Sequence, residues 1–164
     1  MITRLEERPL AAGDLHAALV DRGGRWVAPG VVAGFAERLD GLAATTSTDF
    51  NILVLGRSPE AMAHAVNRLL DLHGGVVLVD GGAVAYELAL PLGGIMARGS
   101  VEEAAGLEDE LRAALVARGY PHHDPLFTLF FLSADFLPAA RLTPRGVWDV
   151  KRGRVLLPSR PRAR

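Results

Sequence analysis

The most regular pattern of apolar and polar positions lies between residues 51 and 90. "NILVLG" is an unbroken apolar run rich in branched residues and closed by Gly56, which predicts a buried strand. "RSPEAMAHAVNRLLDLHGG" follows it. Ser58 suits a helix N-cap, and Pro59 suits the first helical position, where its missing N–H costs nothing. Met62, Val66, Leu69 and Leu70 fall on one face at spacings of three and four. Gly74 can take the left-handed conformation that stops such a helix. "VVLVDGGAVAYELALP" is then two extended runs around Asp80-Gly81-Gly82, a hairpin pattern. Val84, Tyr86, Leu88 and Leu90 alternate with Ala85, Glu87 and Ala89, so one face of the second strand is the more apolar.

The flanks are less regular. Residues 1–20 carry scattered apolar positions interrupted by Pro9 and Gly13, and read as an N-terminal arm with a short helix or strand. "GGRWVAPG" reads as two turns around a brief extended piece. In "VVAGFAERLD", Val31, Phe35 and Leu39 at spacing four predict a short helix. Ser100 and Glu103 have the capping-box spacing. The helix they start would bury Ala104, Leu107, Leu111 and Leu115 and end at Gly119. "LFTLFFLS", apolar but for Thr128 and its last residue, predicts a central strand. Short strands are expected near 147–150 and 154–157. Residues 158–164, a Pro/Arg tail, read as a solvated, disordered end. The order predicts one α+β domain over residues 21–157, with a mostly antiparallel or mixed sheet and helices packed on one side.

Composition narrows the function classes. At 164 residues the chain can build one domain with a real core. Its net charge of −1 gives no basic footprint, so no nucleic-acid partner is expected. The absence of Cys excludes disulfides, thiolate metal sites and a Cys nucleophile together. No apolar run approaches the ~18 residues of a membrane helix, and "MITRLEERPL" is charged where a signal peptide is apolar. The expectation is a cytoplasmic protein with no membrane partner.

Candidate chemistry is sparse. His122-His123-Asp124 sits in a loop, and adjacent loop residues rarely converge on one ion. His64 and His73 are nine positions apart on one helix, which places them on opposite faces. No esterase elbow, P-loop or paired-His motif is present. Glu102-Glu103 and Glu108-Asp109-Glu110 suit the solvated face and first turns of a helix. The polar knot "TTSTDFN" before the first buried strand remains. It reads either as a turn, with Asp49 or Asn51 bonding the backbone, or as a loop for a small polar ligand. Ser47, Thr48, Asp49 and Asn51 are its candidate ligand-binding residues. No catalytic residue, metal site or cofactor is expected.

The stretch "NILVLGRSPEAMAHAVNRLLDLHGGVVLVDGGAVAYELALPLGGIMA" resembles the C-terminal domain of bacterial and archaeal adenine deaminases. Their pattern is Asn, an apolar strand, Gly, then "MA-x-AVNRL", a Gly pair, a strand pair and "LPL-x-G-x-M". "DPLFTLFFLSADFLPAARLTPRGVWDV" resembles the family's later segment, and the likeness spans about residues 20–157. In that family the resemblance implies a metal-dependent amidohydrolase barrel on the N-terminal side. A barrel needs about 250 residues, and some 20 precede the similar region here. The family signature His-Asp-x-His-Asn falls on Ser47-Thr48-Asp49-Phe50-Asn51, so both imidazoles are replaced. The resemblance implies a stand-alone, non-catalytic relative that binds a purine-like small molecule or a partner protein, or self-associates as a homodimer. The alternative is an accessory subunit of a split adenine deaminase, forming hypoxanthine and ammonia with a barrel on another chain. An independent hydrolase using His122, His123 or the Asp49 loop ranks below both.

Overall fold

The computed structural model describes residues 10–161. It is an α+β structure built on a seven-stranded antiparallel sheet. The strands are β1 (Asp14–Val20), β2 (Trp26–Ala33), β3 (Gly41–Ala44), β4 (Ile52–Gly56), β5 (Gly75–Asp80), β6 (Ala83–Ala89) and, near the chain end, β10 (Arg160–Pro161). Their order is β10-β2-β1-β4-β3-β5-β6. A second sheet holds β7 (Ala140–Thr143), β8 (Gly146–Asp149) and β9 (Arg154–Pro158). The helices are α1 (Pro59–Asp71), α2 (Val101–Val116) and α3 (Pro125–Leu132).

The strand "ILVLG" is apolar throughout because both of its faces are covered. Ile52 and Val54 pack with Ala61, Ala65 and Leu69 of α1. Leu53 and Leu55 point the other way, as successive strand residues must, into a core with Leu111 and Leu115 of α2, Leu129 and Leu132 of α3, and Leu142 and Val147 of the small sheet. Helices therefore cover both sides of the sheet rather than the one side expected, because β3, β4 and β5 are apolar on both faces. Among the described residues no helix is long and apolar enough to cross a membrane.

The caps work as the sequence predicts. Ser58 accepts from the Ala61 amide at 3.1 Å, and Ser100 and Glu103 form the reciprocal capping box. The residue beyond the α1 C-cap that takes the left-handed conformation is His73 (φ 61°), one position before the expected Gly74. Gly75 (φ 131°) has its own reason: a Cβ there would collide with the Leu88 carbonyl of β6.

Four expectations are corrected. Residues 14–20 are not an arm. They form β1, paired with β2 on one side and β4 on the other. The rest of that arm, residues 1–9, lies outside the described residues. The helix expected over 31–40 is absent. Val31 pairs with His16 inside β2, and the chain leaves the sheet at Gly34 (φ 77°). Val31, Phe35 and Leu39 are buried, so their spacing reported burial without reporting helix. "LFTLFFL" is a helix, not a strand. Asp124 caps it by accepting from the Phe127 amide at 2.8 Å, Pro125 opens it, and Leu129 and Leu132 bury one face. The tail is exposed but not disordered throughout: Arg160 and Pro161 pair with Val27 and Trp26 of β2. Residues 162–164 lie outside the described residues.

Candidate ligand-binding site

The polar knot follows β3 and leads into β4. Its first residue, Thr45, is buried and extends the β3–β5 ladder: its amide donates to the Gly75 carbonyl at 2.9 Å. The Thr45 hydroxyl accepts from the Gly75 amide at 2.8 Å and bonds the Gly94 carbonyl. That hydroxyl ties the loop after β6 to the sheet centre. Arg22 also reaches this loop, donating from Nη2 to Gly93 O at 3.4 Å.

The four predicted site residues come together, but mostly with one another. Ser47 is fully buried, and its hydroxyl lies 2.8 Å from the Asn51 carbonyl and 3.1 Å from Asp49 Oδ1. Asp49 Oδ1 also accepts from the Asn51 amide at 3.3 Å, an Asx-type turn. Asn51 Oδ1 accepts from the Arg22 amide at 3.3 Å. Thr48 is locked to the end of α3: its amide donates to Ser133 Oγ at 2.9 Å, and its hydroxyl donates to Ser133 O at 2.8 Å. Phe50 takes a left-handed φ of 58° and closes the turn with its ring exposed.

Two polar atoms of the knot are left over. Thr46 Oγ1 and Asp49 Oδ2 are both sealed from water, and neither has a hydrogen-bond partner among the described residues. Thr46 is 8% exposed. It stands in the wall of a cleft of about 300 Å³, with Ile95 from the loop after β6 and Leu126, Phe127 and Phe130 from α3. This is an apolar, aromatic cleft with one hydroxyl-bearing residue in its wall. Sequence reading missed Thr46 and the α3 ring pair. The Asp-Pro pair at 124–125 was the available signal that the apolar run starts a helix.

The other candidates have structural work. His122 Nε2 lies 2.8 Å from the Gly34 carbonyl, which can only accept, so this nitrogen carries the proton. Asp124 is the α3 N-cap. Among the described residues no group of three or more His, Asp or Glu side chains is placed to hold a metal ion. The donor set does not fit the metal that the resemblance implies for the amidohydrolase barrel.

The fold is that of an α+β domain. Residues 6–154 match the family described as adenine deaminase C-terminal domain, and the chain belongs to that family. It is 38% identical over 141 residues to the protein BH0637 of Halalkalibacterium halodurans, whose own naming as an adenine deaminase is provisional. That match covers 86% of this chain and 24% of the relative. YerA of Bacillus subtilis, likewise provisional, is 33% identical over 94% of this chain and 27% of its own length. An adenine deaminase of Shigella sonnei is 38% identical over 82% of this chain and 24% of its own length. The chain thus spans about a quarter of the length of the curated relatives it matches.

Proposed function

We propose that this domain is a non-catalytic binding module, and that its ligand is a flat, purine-like molecule held in the cleft between Thr46, Ile95 and α3. The observation that carries the reading is the Thr46 hydroxyl, sealed from water, without a partner, at the wall of an aromatic cleft. A buried hydroxyl left unpaired costs about 1–3 kcal/mol. Rotation about χ1 moves the oxygen to another staggered position. A ligand group that bonds it there recovers the cost, while Phe127 and Phe130 cover the ring. Ser47, Thr48 and Asn51 are the frame of this site, their polar groups engaged within the knot, on Ser133 and on the Arg22 amide. The knot has no imidazole to move a proton.

Adenine and hypoxanthine titrated into the purified chain, followed by amide chemical shifts, test this reading. Saturable shifts centred on Thr46, Ile95 and Phe130 are expected, and Thr46→Val removes them. No ammonia is expected from adenine with or without Mn²⁺, Fe²⁺ or Zn²⁺. Metal-dependent ammonia release that disappears when this chain is mutated would overturn the non-catalytic reading.

A second reading is an accessory subunit of a split adenine deaminase, favoured by membership of the adenine deaminase C-terminal domain family. Isolation of the chain from its host, with mass spectrometry of the associated proteins, separates the two. A stoichiometric amidohydrolase barrel that deaminates adenine only in this chain's presence supports the accessory role.

A further inference from the structure

α3 separates two clefts. Leu126, Phe127 and Phe130 face the apolar one already described. Thr128 and Phe131, about a third of a turn round the helix, line a second cleft of about 250 Å³ with His122 and Arg141. We propose that this second cleft is a binding site for a small oxyanion, a phosphate or a carboxylate, held by the Arg141 guanidinium.

The described chain pairs Arg25 with Asp21, Arg68 with Glu87, Arg118 with Asp80 and Arg152 with Asp149. Arg141, on β7, has no such partner among the described residues. Its Nη1 donates to the Ala140 carbonyl at 2.7 Å. Its Nε is sealed from water and makes no hydrogen bond. Withdrawal from water pulls its pKa below the ordinary guanidinium value, and no neighbouring charge pulls the other way. A guanidinium nonetheless stays protonated in proteins. One backbone carbonyl is poor compensation for a cation half withdrawn from water, whose charge calls for an opposite one.

The other groups around the cleft do not supply that charge. Asp124, on the same loop as His122, caps α3 and lines a separate groove with Glu108 and Asp109. Thr128 Oγ1 is spent: it donates to the Asp124 carbonyl at 2.6 Å and meets the Tyr120 hydroxyl at 2.7 Å. His122 is pinned through Nε2 to Gly34. These groups hold the walls still, Phe131 forms an apolar side, and the guanidinium is the cation open to a ligand. Arginine suits planar and tetrahedral oxyanions because its donors form a rigid fork.

The Nε–Hε resonance of Arg141 reports on the site directly, and its absence from the Arg141→Lys spectrum assigns it. The purified chain is titrated with inorganic phosphate and, separately, with acetate, with chloride adjusted to hold ionic strength constant. The site predicts a saturable shift of this resonance and of the Thr128 and Phe131 amides. Arg141→Lys weakens the response, and Arg141→Gln abolishes saturation. Tighter binding of phosphate marks a phosphate-bearing ligand, and tighter binding of acetate marks a carboxylate. Shifts that grow linearly with both salts, or saturable shifts that survive in Arg141→Gln, overturn the proposal. Should Arg141→Gln fail to fold, the wild-type resonance and Arg141→Lys decide the question.

Discussion

Thr45 and Thr46 are neighbours, both buried, and the structure predicts opposite outcomes when each becomes valine. The substitution keeps the shape and removes only the hydroxyl. At Thr45 it strips the acceptor from the Gly75 amide and the donor from the Gly94 carbonyl, both in the interior. Each orphaned buried group costs about 1–3 kcal/mol. The Thr45–Gly75 backbone bond persists, so the expected loss is about 2–4 kcal/mol for Thr45→Val. At Thr46 the hydroxyl has no partner to abandon. Thr46→Val removes an unpaired polar atom and should leave stability unchanged or raise it by about 1 kcal/mol. Urea unfolding at matched m-values measures both. Thr45→Ser, which keeps the hydroxyl and loses one methyl, should fall near ~1 kcal/mol. If the two valine variants shift the midpoint alike, the hydrogen-bond assignment around the knot is wrong. If Thr46→Val alone is strongly destabilising, the hydroxyl has a partner and the ligand reading loses its support.

Leu53→Ala deletes a fully buried side chain of β4 and should cost about 2–5 kcal/mol. Phe130→Ala should cost clearly less in the same urea assay, because its ring lines an open cleft instead of a closed core. Asp21 is held by Arg25, through Nε at 2.8 Å and Nη2 at 3.0 Å, which lowers its pKa from 3.8 to about 2. Since the folded value lies below the unfolded one, this pair contributes stability above pH 3.8 and loses it as pH falls toward 2. Carboxyl-carbon NMR of Arg25→Met should move the Asp21 titration upward, with the backbone amides of residues 23 and 25 still holding it below 3.8, and an unmoved titration would refute the cause assigned. Leu92, Ile95, Met96, Phe127 and Phe136 are exposed, and large apolar patches are rare on soluble monomers. Light scattering at micromolar concentration is therefore expected to give a homodimer, and a mass of 17.5 kDa unchanged by concentration counts against it.

The elements legible in the sequence are those whose signals are local. α1 carries its own cap, its proline and its apolar face, and α2 carries its capping box. The β5–β6 hairpin carries its turn in Asp80-Gly81-Gly82. The resemblance carried the family, because separated motifs kept their order. What sequence reading misassigned depends on partners far away in the chain. Residues 14–20 are a strand because β2 and β4 flank them, and the segment alone left a short helix and a strand both open. An eight-residue apolar run such as 125–132 has no period to separate helix from strand, so the Asp124 cap and the space beside the sheet decide it. The knot shows the same division. Its polar composition marked it as special, yet which hydroxyls are spent and which are left over was set by Gly75, Gly94 and Ser133, which lie 30, 49 and 85 positions downstream of the residues they meet. Arg141 was one of 17 arginines in the sequence. Only the tertiary structure, which lines one cleft with His122, Thr128, Phe131 and Arg141 and gives Arg141 no carboxylate partner among the described residues, set it apart.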